Sequence, residues 1–114
     1  MSNLPATPWA VVIPAYNEAR TIRDVATRAL AQSGLVIVVD DGSTDGTAAA
    51  LEGLPVILLR NGGNRGKASS LYAGAEEAIR RGAAAILTLD GDGQHRPEEI
   101  PLLLEAHAAA PASR

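Results

Sequence analysis

Residues 35–43 read LVIVVDDGS and carry the clearest indication of the fold. One leucine and four β-branched residues precede two aspartates and a glycine, a pattern typical of a strand that ends in a polar loop. A run that is apolar at every position, with no polar alternation, indicates a strand covered on both faces, as in parallel sheets. In such sheets ligands bind beyond the carboxyl ends of the strands. Residues 35–43 therefore predict a buried parallel strand with polar side chains at its carboxyl end.

Apolar runs on either side of this stretch predict three more strands, at residues 9–13, 56–59 and 84–89. Residues 21–31 and 67–80 carry apolar stripes of helical period, and the alanine-rich residues 47–54 predict a short middle helix. Pro97 followed by two glutamates suits the first turn of a last helix, residues 98–110. Strands alternating with helices predict a Rossmann-like α/β fold, a parallel sheet with helices on both faces.

The predicted domain organisation is an N-terminal extension at residues 1–8, one α/β domain at residues 9–110 and a frayed tail at residues 111–114. Two local contacts are also expected. Ser43 or Thr44 would cap the middle helix, and Asn17 would cap the first, because short polar side chains accept hydrogen bonds from free helical N–H groups.

Composition excludes several classes of protein. With 114 residues and 46% hydrophobic residues, the chain can bury one modest core, and its net charge of −3 argues against a nucleic-acid binder. No run reaches the length of a membrane span, and no signal peptide is recognisable. Cysteine is absent, which is compatible with a reducing cytosol and leaves oxygen or imidazole as the metal ligands.

The acidic loop DGDGQH, residues 90–95, is the strongest candidate for chemistry. Asp90 and Asp92 share one turn and would repel each other unless they share a cation, and Gln94 could add an amide oxygen. Oxygen ligands favour Mg²⁺ or Mn²⁺. His95 is a secondary candidate for contact with the metal or a phosphate. Taken alone, the loop is better explained as an acidic turn in which Asp and Gly suit the backbone geometry, and only its position after a strand and the other polar loops favour a metal site.

Three other polar segments follow strands, and each has a functional and a structural interpretation. Asp41 could accept a hydrogen bond from a base or ribose, or its neighbours could simply cap a helix. The glycine-rich residues 61–67, with Arg65 and Lys67, could hold an anionic ligand or be a solvated turn. Tyr16 could stack on a nucleobase or close the sheet edge. Together with the acidic loop, these segments should meet at one edge of the sheet.

Two rival patterns fail on their context. Residues 41–52 match the spacing of a calcium-binding EF-hand loop, but a strand and not a helix is predicted before them. A phosphoacceptor signalling domain also gathers an acidic pair and a lysine at one sheet edge. In that class the acidic pair ends the first strand and the lysine follows the fifth, whereas here they follow the second and third strands.

Four motifs together resemble the family 2 glycosyltransferases: VVIPAYNE at residues 11–18, VVDDGSTDGT at 38–47, NRGK at 64–67 and DGDGQH at 90–95. The resemblance covers residues 11–101 and is nearest to dolichyl-phosphate mannosyltransferase and the bacterial polyprenyl-phosphate glycosyltransferases. It implies a GT-A fold and inverting, metal-dependent transfer of a sugar from a UDP- or GDP-linked donor. The residues that it implies at the donor nucleotide are Pro14, Tyr16, Glu18, Asp41, Arg65 and Lys67. The metal would be held by Asp90, Asp92 and Gln94.

The resemblance also has gaps. Residues 68–70, ASS, follow Lys67 where many family members carry a glycine. Family members continue with an acceptor site and, in many, an acidic base, and no residue here can be named as that base. We therefore expect the donor-binding half of an enzyme, with a lipid phosphate as one possible acceptor, or a noncatalytic nucleotide-sugar-binding protein of the same fold. An uncovered sheet edge predicts self-association or a partner chain. A cytoplasmic location is expected, including one at the inner membrane face through a partner or a further segment.

Overall fold

The computed structural model describes residues 9–91, which form alternating strands and helices. The elements, in order, are β1 (Trp9–Ala15), α1 (Ile22–Leu30), β2 (Val36–Asp40), α2 (Thr47–Ala50), β3 (Ile57–Arg60), α3 (Lys67–Arg80) and β4 (Ala85–Thr88). None of the helices in this part of the chain has the length and apolar character that a membrane span needs.

The four strands form one parallel sheet in the order β3-β2-β1-β4. The chain first builds the sheet outward from β1 through β2 to β3, and then crosses back to place β4 on the other side of β1. Such a reversal of strand order leaves a crevice at the carboxyl ends of the strands on either side of it. In this protein the reversal lies between β1 and β4.

Helices cover both faces of the sheet, and the residues of β1 alternate between the two cores. Val11 and Ile13 face a cluster that contains the buried residues of α1, whereas Ala10 and Val12 face a second cluster with Ala78 of α3. All four of these β1 residues are fully buried. This double coverage explains why the central strands are apolar at every position.

Helix α3 packs directly against the centre of the sheet at Gly74. A Cβ atom at this position would lie 2.3 Å from Val12 Cγ1 and 3.1 Å from Val39 Cγ2. Glycine in a helix interior destabilises the helix by about 1 kcal/mol relative to alanine. At Gly74 this loss of helix stability is offset, because only glycine lets α3 lie so close to β1 and β2.

The predicted fold class is confirmed, and the differences in detail are local. Helix α3 has the predicted bounds, while the other elements differ from prediction by one or two residues at their ends. The exception is α2, predicted for residues 47–54, which ends at Ala50 and continues as turns. The predicted helix at residues 98–110 and the predicted terminal segments lie outside the described residues.

Candidate functional site

The segments that follow β1, β2, β3 and β4 are called the first, second, third and fourth loops. They meet at the carboxyl edge of the sheet and surround a cavity of about 330 Å³. This volume is at the lower end of the range for small-molecule sites. The residues that line it are Pro14, Ala15, Tyr16, Glu18, Asp41, Asn64, Gly66, Lys67, Ser70, Asp90 and Gly91.

Side chains that follow β2 hold the backbone of the loop that follows β1. The N–H groups of Asn17 and Glu18 donate to Ser43 Oγ and Thr47 Oγ1 at 2.8 and 2.9 Å. The Ala19 N–H donates to Asp45 Oδ2 at 3.2 Å. The Thr47 hydroxyl bonds to Asp45 and, with the other hydrogen bonds at this carboxylate, lowers its pKa. The three acceptors thereby fix the first loop beside the cavity.

These contacts correct both capping predictions. Helix α2 has Gly46 as its N-cap and no side-chain cap, because Ser43 accepts its hydrogen bond from Asn17 instead. Asn17 does not cap α1; its Oδ1 accepts from the Thr44 N–H at 2.9 Å. Asn17 has a positive φ of 53°, a backbone region that asparagine tolerates better than most residues. Both side chains therefore join the first loop to the second and do not cap helices.

Asp41 ties the second loop to the third. Its Oδ1 accepts from Asn61 Nδ2 at 2.7 Å and from the Arg65 N–H at 2.8 Å, and its Oδ2 accepts from the Gly66 N–H at 2.8 Å. Burial raises the pKa of Asp41, but these hydrogen bonds and one from Ser70 outweigh it, so that the net pKa is lowered. The side chain is almost fully buried, and four donors match the acceptor capacity of a carboxylate.

Gly42 lets the same two loops touch. Its φ is +79°, and a Cβ atom there would lie 2.7 Å from the carbonyl carbon of Gly63 and 2.9 Å from the Asn64 nitrogen. Any side chain would therefore meet backbone atoms. The glycine after Asp41 is thus required both by its own conformation and by the proximity of the third loop.

The third and fourth loops meet through an ion pair. Lys67, the first residue of α3, places its Nζ 2.6 Å from Asp90 Oδ1, just beyond β4. The Asp90 side chain is 23% exposed and that of Lys67 is 62% exposed. Both residues line the cavity, so the pair lies at its wall.

The start of the acidic loop is anchored to the N-terminus of α1. The Thr21 hydroxyl donates to the Gly91 carbonyl at 2.6 Å. A Cβ atom on Gly91 would lie 3.1 Å from Glu18 Oε1 and 3.2 Å from Ile22 Cδ1, so the glycine allows the loop to lie against the first helix. Thr21 and Gly91 thus determine where the acidic loop leaves the sheet.

Six of the nine residues predicted for the site line the cavity. They are Pro14, Tyr16, Glu18, Asp41, Lys67 and Asp90. Tyr16 is 43% exposed, which leaves its ring accessible. Arg65 is exposed and does not line the cavity; its backbone N–H, and not its guanidinium, contributes by bonding Asp41. Asp92 and Gln94, like the secondary candidate His95, lie outside the described residues.

Sequence analysis missed several residues that shape the site. Ser70 is fully buried and bonds to both Asp41 and Asn61; its position one helical turn after Lys67 is a signal that could have found it. Thr21 gives no such signal, because its partner lies 70 residues away in the chain. Contacts between loops depend on the assembled sheet.

Comparison with known proteins identifies the family. The model of "Glycosyl transferase family 2" matches residues 10–113. The chain belongs to this family. The predicted resemblance is therefore confirmed, and it extends through the acidic loop.

Curated relatives of this glycosyltransferase family 2 chain include two whose names contain a polyprenol or a polyprenyl phosphate. One is an undecaprenyl-phosphate 4-deoxy-4-formamido-L-arabinose transferase of Aeromonas hydrophila, 37% identical over 93% of this chain and 35% of the relative. The other is a polyprenol monophosphomannose synthase of Mycolicibacterium smegmatis, 33% identical over 90% of this chain and 42% of the relative. The chain therefore spans less than half the length of either relative.

Solved structures confirm the GT-A fold. The glucosyl-3-phosphoglycerate synthase of Mycobacterium tuberculosis, crystallised with Mn²⁺, UDP and glucosyl-3-phosphoglycerate, matches with a TM-score of 0.68 at 22% identity. The match covers 87% of this chain and 39% of the synthase. At this identity the similarity is evidence for the fold alone.

Proposed function

We propose that this family 2 chain forms the donor-binding part of a metal-dependent, inverting glycosyltransferase that takes its sugar from a nucleoside diphosphate. The observation that carries the proposal is the cavity at the carboxyl edge of the sheet, where an accessible tyrosine, a lysine and a carboxylate meet. A tyrosine ring can stack on a nucleobase, a lysine can pair with phosphate, and a carboxylate can bind a metal ion.

Each part of the donor has a complementary group in this arrangement. The exposed ring of Tyr16 offers a surface on which a base could stack, and Pro14 and Glu18 line the same cavity. Lys67 supplies a positive charge for the diphosphate. Asp41 contributes by holding residues 61–66 in place, because its carboxylate is occupied by that loop.

The chemistry of Asp90 fits a divalent cation. Its carboxylate lies 2.6 Å from the Lys67 ammonium group, so it already carries a positively charged partner. Hard ions such as Mg²⁺ and Mn²⁺ prefer carboxylate oxygens. Within residues 9–91 no three acidic or histidine side chains form a complete metal cluster. We propose that Asp92 and Gln94 supply the remaining ligands. When bound, the metal would neutralise negative charge on the departing nucleoside diphosphate.

A polyprenyl phosphate is the proposed acceptor, and UDP or GDP the proposed nucleotide. The names of the two curated relatives support the acceptor. Membership of glycosyltransferase family 2 supports a nucleoside diphosphate in general and leaves UDP and GDP as the two choices to be tested. A lipid acceptor would place the reaction at the cytoplasmic face of a membrane, with the chain held there by a partner or a further segment.

Calorimetric titration with UDP and GDP, with and without Mn²⁺, tests the proposal. We expect one nucleotide to bind with metal, and Asp90→Asn to weaken that binding by about tenfold, since it removes a charged ligand from the metal. Asp24→Asn is the matched control, because it removes an exposed carboxylate on α1 that does not line the cavity. Absence of binding to either nucleotide, or equal binding by the Asp90 variant, would contradict the proposal. Sugar transfer or donor hydrolysis by this chain would exclude a noncatalytic binding protein, whereas metal-dependent binding alone is expected of both.

The contact between Thr21 and the acidic loop gives a second prediction. Thr21→Val preserves shape but removes the hydrogen bond to the Gly91 carbonyl, so the loop is less well positioned and UDP with Mn²⁺ should bind about two- to tenfold more weakly. Thr21→Ser keeps the hydroxyl and should bind as the wild type does. Calorimetry on the three proteins measures the effect. Equal affinity in all three would show that this hydrogen bond does not position the metal-binding loop.

A further inference from the structure

The ion pair between Lys67 and Asp90 brings together two groups with separate proposed roles, one for phosphate and one for metal. Lys67 Nζ and Asp90 Oδ1 lie 2.6 Å apart at the wall of the cavity. Lys67 is also the first residue of the 14-residue helix α3. A cation is unfavourable there, because the helix dipole is positive at that end. Asp90 compensates for this charge in the absence of an anionic ligand.

A divalent cation and the lysine cannot both remain at this carboxylate without repulsion. The distance between Mg²⁺ and a carboxylate oxygen is about 2.1 Å. Because Lys67 Nζ lies 2.6 Å from Asp90 Oδ1, a metal bound to that oxygen would lie within about 5 Å of the ammonium nitrogen. Charges of +2 and +1 at that separation repel appreciably even in water. The long, 62% exposed side chain of Lys67 has room to move away, at the loss of its ion pair.

We propose that Lys67 competes with the divalent cation for Asp90, and that the donor diphosphate relieves the competition by attracting the ammonium group to itself. The inference rests on the proposed function and adds that metal binding and donor binding are coupled through Lys67. The metal binds weakly alone, and metal and nucleoside diphosphate strengthen each other's binding. This coupling must be reciprocal, because it is a free energy shared by the two sites.

The alternative is that the pair is an ordinary surface ion pair with no effect on metal binding. Pairs with exposed side chains contribute little to stability, typically below about 1 kcal/mol. The free energy of this ion pair also limits how strongly Lys67 can weaken the binding of a metal to Asp90. Removing the lysine should therefore tighten the binding of metal alone by about two- to fivefold.

Titration with Mn²⁺ alone, followed by electron paramagnetic resonance of the free ion, measures the competition in the purified chain. We expect Lys67→Met to bind Mn²⁺ about two- to fivefold more tightly than the wild type. In the presence of UDP or GDP, whichever binds in the calorimetric titration, the wild type should gain more affinity for Mn²⁺ than the variant does, because only the wild type has an ammonium group that can move to the phosphates. Lys67→Arg retains the charge and should resemble the wild type.

Arg81→Met is the matched control. Arg81 follows the last residue of α3, at the opposite end of the helix from Lys67, and pairs with Glu77 at 2.7 Å. The variant therefore also removes one positive charge and one ion pair, but at residues that do not line the cavity. If Lys67→Met and Arg81→Met bind Mn²⁺ equally, or if the nucleoside diphosphate that binds in the calorimetric titration strengthens Mn²⁺ binding by the same factor in wild type and Lys67→Met, the inference is overturned while donor binding stands. If the wild type binds neither UDP nor GDP, with or without Mn²⁺, the proposed function itself fails. Circular dichroism of each variant verifies that it is folded.

Discussion

Replacing Gly74 by valine should lower the free energy of unfolding by about 3 kcal/mol, the upper part of the range for an overpacked core. The first added carbon would already lie 2.3 Å from Val12 Cγ1, and Val12 is fully buried in the strand at the centre of the sheet. The gain in helix propensity over glycine is well under 1 kcal/mol for valine, so the clash dominates. Either α3 moves away from the sheet or β1 is displaced. Urea unfolding followed by circular dichroism measures the loss.

Two further variants separate the clash from other effects. Gly34→Val is the control, because a Cβ at Gly34 has no neighbour within 4 Å, and it should leave stability nearly unchanged. Val12→Ala removes the atom that the new side chain would meet, so the double variant with Gly74→Val should lose less than the sum of the two single losses. Additive losses would show that the contact with Val12 is not the cause.

The sheet could be predicted from sequence because its signal is local. In β2 every residue is buried, and this appears in the sequence as an unbroken apolar run before Asp40. Helix α3 was predicted with its correct bounds, since its apolar stripe spans nearly four turns. Helix α2 was predicted too long, because a short alanine-rich segment has little periodicity with which to define an end.

The candidate site could be predicted in its location but not in its hydrogen bonds. Motifs that follow parallel strands must meet at one edge, and this rule alone brought Tyr16, Asp41, Lys67 and Asp90 together. The capping predictions for Ser43 and Asn17 were wrong because they assumed a partner nearby in sequence. Both side chains bind instead across two loops that become neighbours only when β1 and β2 pair.

The roles of buried groups were the hardest to predict. Asp41 was predicted to contact the nucleotide, and the structure reveals that its carboxylate also organises residues 61–66. A sequence motif marks such a residue as special without distinguishing direct contact with a ligand from support of a ligand-binding loop. Mutation distinguishes them, because loss of support lowers stability even when no ligand is present.

Asp41→Asn should therefore destabilise the free protein by about 3 kcal/mol. The variant loses hydrogen bonds to a charged acceptor, and its new NH₂ group points at another hydrogen-bond donor. Asn61 and Arg65 donate to one carboxylate oxygen, and Gly66 donates to the other. Whichever oxygen becomes an NH₂ group would face an N–H donor in a nearly fully buried position. Urea unfolding without nucleotide measures the change, with Asp24→Asn as the exposed control. A direct ligand contact with no structural role would leave the unfolding midpoint unchanged.

The same carboxylate should make stability depend on pH in the acid range. The hydrogen bonds to Asp41 hold its folded-state pKa below the ordinary value. Its contribution to stability is therefore complete above the unfolded pKa, about 3.9, and is lost as the pH falls below that value and through the folded pKa. In Asp41→Asn the side chain does not titrate, so its unfolding free energy should fall less steeply than that of the wild type below about pH 4. Parallel slopes in the two proteins would place the acid sensitivity at other carboxylates and leave Asp41 with a smaller role in holding the third loop.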